Sequence, residues 1–220
     1  MAEVRIEAMI GDVTLACRLL AIGLHPQAVS ALSRLPVYQV KRLRNLYGQE
    51  ARSGPSRFVQ SLARYTPEVG LSSLFLARVE EAVELPCIRP GTCRGCRIGP
   101  AHRDFCRHRF PDLYLAYVRL VLANARLVDH LARHRDARDL QPLSATSCYH
   151  LYVGYRSGQL QPMQCQSCTA RYFYVPEVNR LLSCPSCGHR HPQGYLHRVA
   201  RSRGAPRTRT VEPTPSGPER

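Results

Sequence analysis

Four cysteines in the C-terminal quarter of the chain have the type and spacing of a metal site. Cys165 and Cys168 form one C-x2-C pair, and Cys184 and Cys187 form another pair after fifteen intervening residues. This spacing is typical of a zinc ribbon, in which each pair occupies a tight turn and directs two sulfurs at one ion. Four thiolates would fill the tetrahedral positions of zinc, so we expect a structural ion with no open position for catalysis.

Two alternatives to this ligand set remain open. The cysteines could form redox-active dithiols, or His189 and His191 could replace a cysteine as ligand. Because four cysteines at ribbon spacing already complete a site, zinc is the preferred interpretation and the two histidines are interpreted as surface residues. No nucleophile motif is found in the sequence and its acidic residues are scattered, so an enzyme is not expected.

A second group of cysteines lies in the segment 86–110, which is rich in Cys, Gly, Pro, His and Arg. Its members are Cys87, Cys93, Cys96 and Cys106. Their spacing matches no standard ribbon, and three interpretations remain open: a second zinc ion, an iron–sulfur cluster, or free thiols in a loop. If this group binds metal or is oxidised, the chain would be a metal- or redox-responsive regulatory protein.

The chain carries a large positive charge. Its 220 residues include 31 Lys and Arg against 16 Asp and Glu, which gives a formal net charge of +15. Such a charge favours polyanionic partners, nucleic acid above all, although a GC-rich genome would also enrich arginine. No segment has the roughly 18 uninterrupted apolar residues of a membrane span, and the N-terminus lacks a signal-peptide pattern. A cytoplasmic protein with no membrane partner and with reduced cysteines is therefore expected.

The pattern of apolar residues predicts which elements position these groups. Apolar residues recur at three- and four-residue steps, which is typical of amphipathic helices. Helices are predicted at 6–20, at 26–32, at 37–46, at 71–85, at 113–131 and at 144–155. The segment 49–67 is predicted to be mostly loop, and 171–175 is predicted to be a strand. The fold class is therefore mainly α.

The helices at 26–32 and 37–46, joined by a tight turn, have the outline of a helix-turn-helix. In that motif the second helix enters the major groove of DNA. Opposite its apolar stripe, which includes Leu46, lie side chains of phosphate-binding and base-reading types: Tyr38, Gln39, Lys41, Arg42, Arg44 and Asn45. Gln39 and Asn45 suit adenine, and Arg42 suits guanine. The alternative is an ordinary pair of amphipathic helices with a solvated face.

Taken together, these stretches resemble the flagellar transcriptional activator subunit FlhC. The similarity covers roughly residues 5–190 and is carried by 32–34 (Leu-Ser-Arg), 40–47 (Val-Lys-Arg-Leu-Arg-Asn-Leu-Tyr), 116–122, and the run from 155 to 161 into the first cysteine pair. The resemblance implies a subunit that binds promoter DNA together with FlhD, recruits RNA polymerase and activates flagellar genes. It also implies a zinc ion that shapes the C-terminal part. The chain departs from the family in lacking tryptophan and in carrying the 86–110 insertion.

The sequence therefore predicts three parts. A helical DNA-binding and oligomerisation domain with a helix-turn-helix-like pair covers 1–158 and contains the cysteine-rich insertion 86–110. A small zinc-ribbon-like module with four cysteine ligands covers 159–197, and a disordered basic tail covers 198–220. The expected function is a DNA-binding transcriptional activator with one Zn2+ per chain, or two if the second cysteine group binds metal.

Overall fold

The computed structural model of the chain describes residues 2–46, 66–89, 93, 104–124, 141–175 and 184–189. These residues form helices α1 (Ala2–Ala21), α2 (Pro26–Ser33), α3 (Val37–Leu46), α4 (Thr66–Val83), α5 (Phe110–Ala123) and α6 (Ala145–Arg156), and strands β1 (Gln161–Gln164) and β2 (Arg171–Tyr174). The prediction of a mainly helical fold is confirmed. No helix among the described residues is long and apolar enough to cross a membrane.

The turn between α1 and α2 is closed by backbone hydrogen bonds. The amide of Gly23 donates to the carbonyl of Leu20 at 2.8 Å, and the amide of Leu24 donates to that of Leu19 at 3.1 Å. This is the Schellman arrangement, which requires a left-handed residue, and Gly23 supplies it with φ of 77°. Glycine adopts this conformation without steric cost, so α1 ends where the sequence predicts.

Helix α2 begins at Pro26 and ends at a left-handed arginine. The side chain of His25 accepts a hydrogen bond from the backbone amide of Gln27 and so caps the start of the helix. At the other end Arg34 has φ of 65°, and the hydroxyl of Ser30 donates to the carbonyl of Leu35 at 2.7 Å. These contacts make the tight turn that leads to α3.

The core is centred on α4, which packs against α5, α6 and β2. Phe75 of α4 is fully buried and lies edge-on to Phe110 and Tyr117 of α5, with ring centroids 6.3 and 5.6 Å away. Leu151 of α6 is buried in the same cluster. Burial of these large rings contributes on the order of 2 kcal/mol for each side chain.

Several features differ from the sequence prediction. Helix α4 begins at Thr66 instead of 71. It includes Pro67, because proline is tolerated in the first turn of a helix. Helix α5 begins at Phe110 instead of 113. Leu46, predicted to face inward, is 75% exposed, since α3 packs on α1 and α2 around its buried Val40. Strand β1 was not predicted, because apolar and polar residues do not alternate in Gln161–Gln164.

The end of the 86–110 segment also differs from the loop-like insertion that the sequence predicts. Phe105 and Phe110 are buried in the main core, Cys106 is 0% exposed, and 107–109 form a single 3-10 turn that continues into α5. Aromatic burial binds this end of the segment to the helices. The predictions for 47, 49–65, 125–131, 176–183 and 190–220 lie outside the described residues.

The strands form an antiparallel hairpin in which Gln161 faces Tyr174 and Gln164 faces Arg171. Two contacts attach this hairpin to α4. The hydroxyl of Ser73 accepts a hydrogen bond from the backbone amide of Phe173 at 3.1 Å, and Arg171 forms an ion pair with Glu80 at 2.8 Å. Phe173 also belongs to the main hydrophobic core. Residues on both sides of position 158 therefore share one core.

Candidate functional site

The first C-x2-C pair lies in the turn that connects β1 to β2. The amide of Cys165 donates to the carbonyl of Ala170 at 2.9 Å, and the amide of Thr169 donates back to the carbonyl of Cys165 at 3.0 Å. Thr169 has a left-handed backbone with φ of 60°, which is uncommon for a β-branched residue. The turn holds Cys165 and Cys168 on the same side.

The second pair repeats this turn. The amide of Cys184 donates to the carbonyl of His189 at 2.8 Å, and the amide of Gly188 donates to the carbonyl of Cys184 at 2.9 Å. Gly188 has φ of 71°, so the left-handed residue predicted just after the second ligand is confirmed. The two turns are thus equivalent, residue by residue, at an offset of nineteen.

The four sulfurs converge on one point. The Sγ atoms of Cys165 and Cys187 are 3.7 Å apart, and those of Cys168 and Cys184 are also 3.7 Å apart. All four lie within 4.8 Å of one another. A tetrahedron with zinc–sulfur bonds of about 2.3 Å has edges of about 3.8 Å. The spacing of the sulfurs therefore fits a tetrahedral ion of that size.

Backbone amides support the first cysteine of each turn. The amide of Ser167 points at the sulfur of Cys165 at 3.4 Å, and the amide of Ser186 points at the sulfur of Cys184 at 3.3 Å. Such donors stabilise thiolate charge without a cationic side chain. The repeated C-x-S-C of both pairs is the sequence signal that could have revealed that the two turns share these amide–sulfur contacts.

The two turns present one buried and one exposed sulfur each. Cys165 and Cys184 are buried, whereas Cys168 and Cys187 are exposed. Burial raises the pKa of Cys184 to about 12. Burial also acts on Cys165, but hydrogen bonds from the amides of Cys168 and Ser167 outweigh it and lower the pKa to about 7. Metal binding would therefore release protons as the thiols become ligands.

The chemistry of this donor set is that of a closed thiolate site. Four thiolates leave no position on a tetrahedral ion for a reactive water, and soft sulfur ligands suit zinc or iron better than magnesium or calcium. The side chain of His189 is exposed and is not among the converging ligand atoms. His191 lies outside the described residues.

Three members of the second cysteine group also converge. The Sγ atoms of Cys87 and Cys106 are 3.5 Å apart, and those of Cys93 and Cys106 are 4.0 Å apart. All three lie within 4.8 Å of one another, so this group too is placed to hold a metal ion. Cys106 is buried and the other two are half-buried. The fourth predicted member, Cys96, lies outside the described residues.

The predicted DNA-contacting side chains lie on α3. Five of them are exposed, namely Tyr38, Gln39, Lys41, Arg42 and Asn45, while Arg44 is half-buried. Tyr38 is 69% exposed, and its hydroxyl accepts a hydrogen bond from the amide group of Gln39 at 3.2 Å. The helix contains three cations and no acid. Its outer surface is therefore a basic, polar strip with one large aromatic ring, and the exposed Leu46 lies at the C-terminal end of the helix.

Sequence reasoning missed the residue that follows Cys106. Arg107 donates to Asp12 of α1 at 2.6 Å and to the carbonyl of Leu32 in α2 at 3.0 Å. The second cysteine group is thereby connected to the helices that support α3. Because the partners are 95 and 75 residues away, no local pattern in the sequence indicates this contact.

No model of a known protein family matches the chain, and no curated protein matches it significantly.

Proposed function

We propose that the chain is a DNA-binding regulatory protein whose helix α3 contacts the double helix. In its most specific form, the proposal is a transcriptional activator of the FlhC type, which acts with an FlhD-like subunit and RNA polymerase at flagellar promoters. The observation that carries DNA binding is the exposed basic strip of α3. The FlhC-type identity rests on the sequence resemblance alone.

The strip has the dimensions and chemistry of a groove-binding surface. Tyr38, Lys41, Arg42 and Asn45 follow one another at steps of three, one and three residues, so they share one face of the helix. Ten residues span about 15 Å, and the major groove is about 12 Å wide. Lys41 and Arg42 supply phosphate or guanine contacts, and Asn45 can form two hydrogen bonds with adenine.

The supports of α3 favour a fixed presentation of this strip. Val40 is fully buried and packs in the main core, while the left-handed Arg34 closes the turn before the helix. A helix held at its base loses little conformational freedom on binding, which favours affinity. The metal-binding hairpin, in this proposal, is a scaffold attached to α4 and takes no part in base recognition.

DNA binding is tested by fluorescence anisotropy with labelled duplexes over a range of salt concentrations. The double variant Lys41→Ala/Arg42→Ala should weaken binding at least tenfold and reduce the salt slope by about 2, one for each lost phosphate contact. Arg119→Ala removes a cation from an exposed position on α5 and is the matched control. Equal binding by the double variant and the control would contradict the role of α3.

The FlhC-type identity needs a separate experiment. An FlhD-like protein from the same genome, co-expressed with the chain, should co-purify with it in fixed proportion and sharpen its preference for promoter DNA. A chain that binds DNA tightly but ignores such a partner would keep the DNA-binding proposal and remove the FlhC-type one.

A second candidate function, a metal- or redox-responsive regulator, is favoured by one observation. The sulfurs of Cys87 and Cys106 are only 3.5 Å apart, close enough to bind the same metal ion or to react with each other. Which of these occurs decides whether this group of cysteines is a metal site.

A further inference from the structure

We propose that Cys87, Cys93 and Cys106 bind a second metal ion, zinc, and that this ion fastens the 87–106 segment to the helical core. The site is distinct from the four-cysteine site, and the proposal does not depend on DNA binding.

The sulfur distances match a shared ion. Zinc–sulfur bonds of about 2.3 Å place neighbouring thiolates about 3.8 Å apart. The distances from the sulfur of Cys106 to those of Cys87 and Cys93 are 3.5 and 4.0 Å, one below and one above that value. Three side chains from positions 6 and 13 residues apart therefore meet as closely as ligands of one ion do.

A backbone donor and a local turn support the ligands, as they do in the four-cysteine site. The amide of Arg89 points at the sulfur of Cys87 at 3.4 Å, two residues along, the same offset as in both C-terminal turns. The amide of Cys93 donates to the carbonyl of Arg89 at 2.9 Å. This bond returns the chain so that Cys93 faces the other two sulfurs.

Core contacts hold both ends of the segment before any ion binds. At the first end, Arg109 donates to the carbonyl of Pro86 at 3.0 Å. At the other end, the hydroxyl of Tyr152 donates to Asp104 at 2.6 Å, and Arg156 pairs with the same carboxylate at 3.3 Å. Cys87 and Cys106 are therefore brought together by groups that are not ligands, which lowers the entropic cost of forming the site.

Residues at both ends of the segment also contact α1. A Cβ atom at Gly11 would be only 2.6 Å from a guanidinium nitrogen of Arg89, so this side chain covers the bare helix backbone. On the same helix Asp12 pairs with Arg107, at 11% and 21% side-chain exposure for the arginine and the acid. An ion at Cys106 would thus act beside a nearly buried ion pair that joins α1 to the segment.

Local charge suits an anionic centre. A divalent ion with three thiolates carries a net charge of −1. Arg89 lies two residues from Cys87, and Arg107 and Arg109 follow Cys106 closely in sequence. Cations near a thiolate favour its charged form, so the arginine content of this part of the chain suits an anionic centre. Three sulfurs leave one tetrahedral position for water or a further side chain.

Metal content per chain tests the proposal. The full chain is produced in zinc-supplemented medium, purified under reducing conditions without oxygen, and analysed for metals and protein in the same sample. The wild type should contain two zinc ions, and Cys87→Ser and Cys93→Ser should each contain one. Cys17→Ser, a half-buried cysteine on α1, is the control and should retain two. Cobalt substitution should give a second thiolate-bound ion that Cys87→Ser lacks.

Folding is monitored so that loss of metal is not confused with loss of structure. Cys87→Ser should keep the far-ultraviolet circular dichroism of the wild type, because its site lies beside the core and not within it. Proteolysis of the 87–106 segment should be at least several-fold faster in this variant. Four results would overturn the proposal: one zinc in the wild type, two zincs in Cys87→Ser, a brown, iron-containing wild type, or a Cys87–Cys106 disulfide without a second metal.

Discussion

The two cysteine groups reach similar sulfur spacing by different routes. In the four-cysteine site every supporting backbone bond joins residues no more than five apart in sequence, and one turn is copied in the other. In the three-cysteine group the ligands are assembled by contacts with helices up to 95 residues away. Sequence spacing alone identifies a locally built site, whereas for a site assembled by tertiary contacts it leaves several interpretations open until the fold is known.

This difference predicts how each site responds to substitution. The four-cysteine site should depend on its own ligands and tolerate changes in the helices. The three-cysteine group should fail when its tertiary supports fail, even if all its sulfurs remain. Changing one ligand or one support at a time, and measuring metal content together with stability, separates the two cases.

The largest effect is expected for Cys184→Ser. Cys184 is fully buried beside Met163, Tyr172 and Tyr174, so the change removes a ligand and leaves a hydroxyl among apolar side chains. Loss of the ion should cost about 4 kcal/mol of unfolding free energy. Thermal unfolding should show a large drop in the midpoint, and metal analysis should show that one zinc is lost.

The second zinc is the informative part of that experiment. If the two sites are independent, Cys184→Ser retains the ion held by Cys87, Cys93 and Cys106. Loss of both ions in a variant that keeps its helical circular dichroism would contradict the separation of a local site from a tertiary one. Cys17→Ser again controls for the substitution itself.

Arg107→Ala should have a smaller effect on stability and a selective effect on metal. The arginine side chain is 11% exposed, and its removal leaves Asp12 and the carbonyl of Leu32 without these hydrogen bonds. Breaking such a pair should cost about 2 kcal/mol. The second zinc should bind more weakly, because Cys106 loses its neighbouring anchor, while the four-cysteine site keeps its ion.

Arg18→Ala is the matched control for Arg107→Ala. Arg18 of α1 also pairs with an aspartate, Asp112 of α5, but the side chains of Arg18 and Asp112 are 43% and 61% exposed. Solvent screening limits such a pair to less than about 1 kcal/mol. Equal losses of stability in the two variants, measured by denaturant unfolding, would show that Arg107 does not anchor the segment.

What the sequence could predict follows the same division between local and tertiary structure. The helix ends at Gly23 and near Gly158 and the left-handed Gly188 follow from short-range rules and are confirmed, and the strand predicted at 171–175 is found at Arg171–Tyr174. Strand β1 could not be predicted, because Gln161–Gln164 forms a strand only through its partner.

For the cysteine-rich segment, the packing of its end, residues 104–110, could not be predicted either. Its Cys, His and Arg content predicts a polar loop, yet Phe105 stacks on Phe110 with centroids 6.4 Å apart, and His108 is buried. Two aromatic residues in a polar stretch do not determine which surface they pack against. The exposure of Leu46 has the same origin, since an apolar position in a helical stripe is buried only where a neighbouring element covers it.

The smallest effect is expected where the hairpin meets the helices. Ser73 and Ser72 are adjacent on α4 and both are buried, at 8% and 5% exposure. The hydroxyl of Ser73 accepts the amide of Phe173, whereas that of Ser72 has no hydrogen-bond partner among the described residues. Ser73→Ala should cost about 1 to 2 kcal/mol by leaving a buried amide unpaired, and Ser72→Ala should be neutral or slightly stabilising.

Neither Ser73→Ala nor Ser72→Ala should change metal binding at the four-cysteine site. The turns that hold Cys165, Cys168, Cys184 and Cys187 are closed by their own backbone bonds, so Ser73→Ala should loosen the hairpin from α4 and still bind its zinc. Hydrogen exchange should quicken at the amide of Phe173 while metal content stays at the wild-type value. Loss of that zinc in Ser73→Ala but not in Ser72→Ala would mean that the four-cysteine site, like the three-cysteine group, depends on the helices for its assembly.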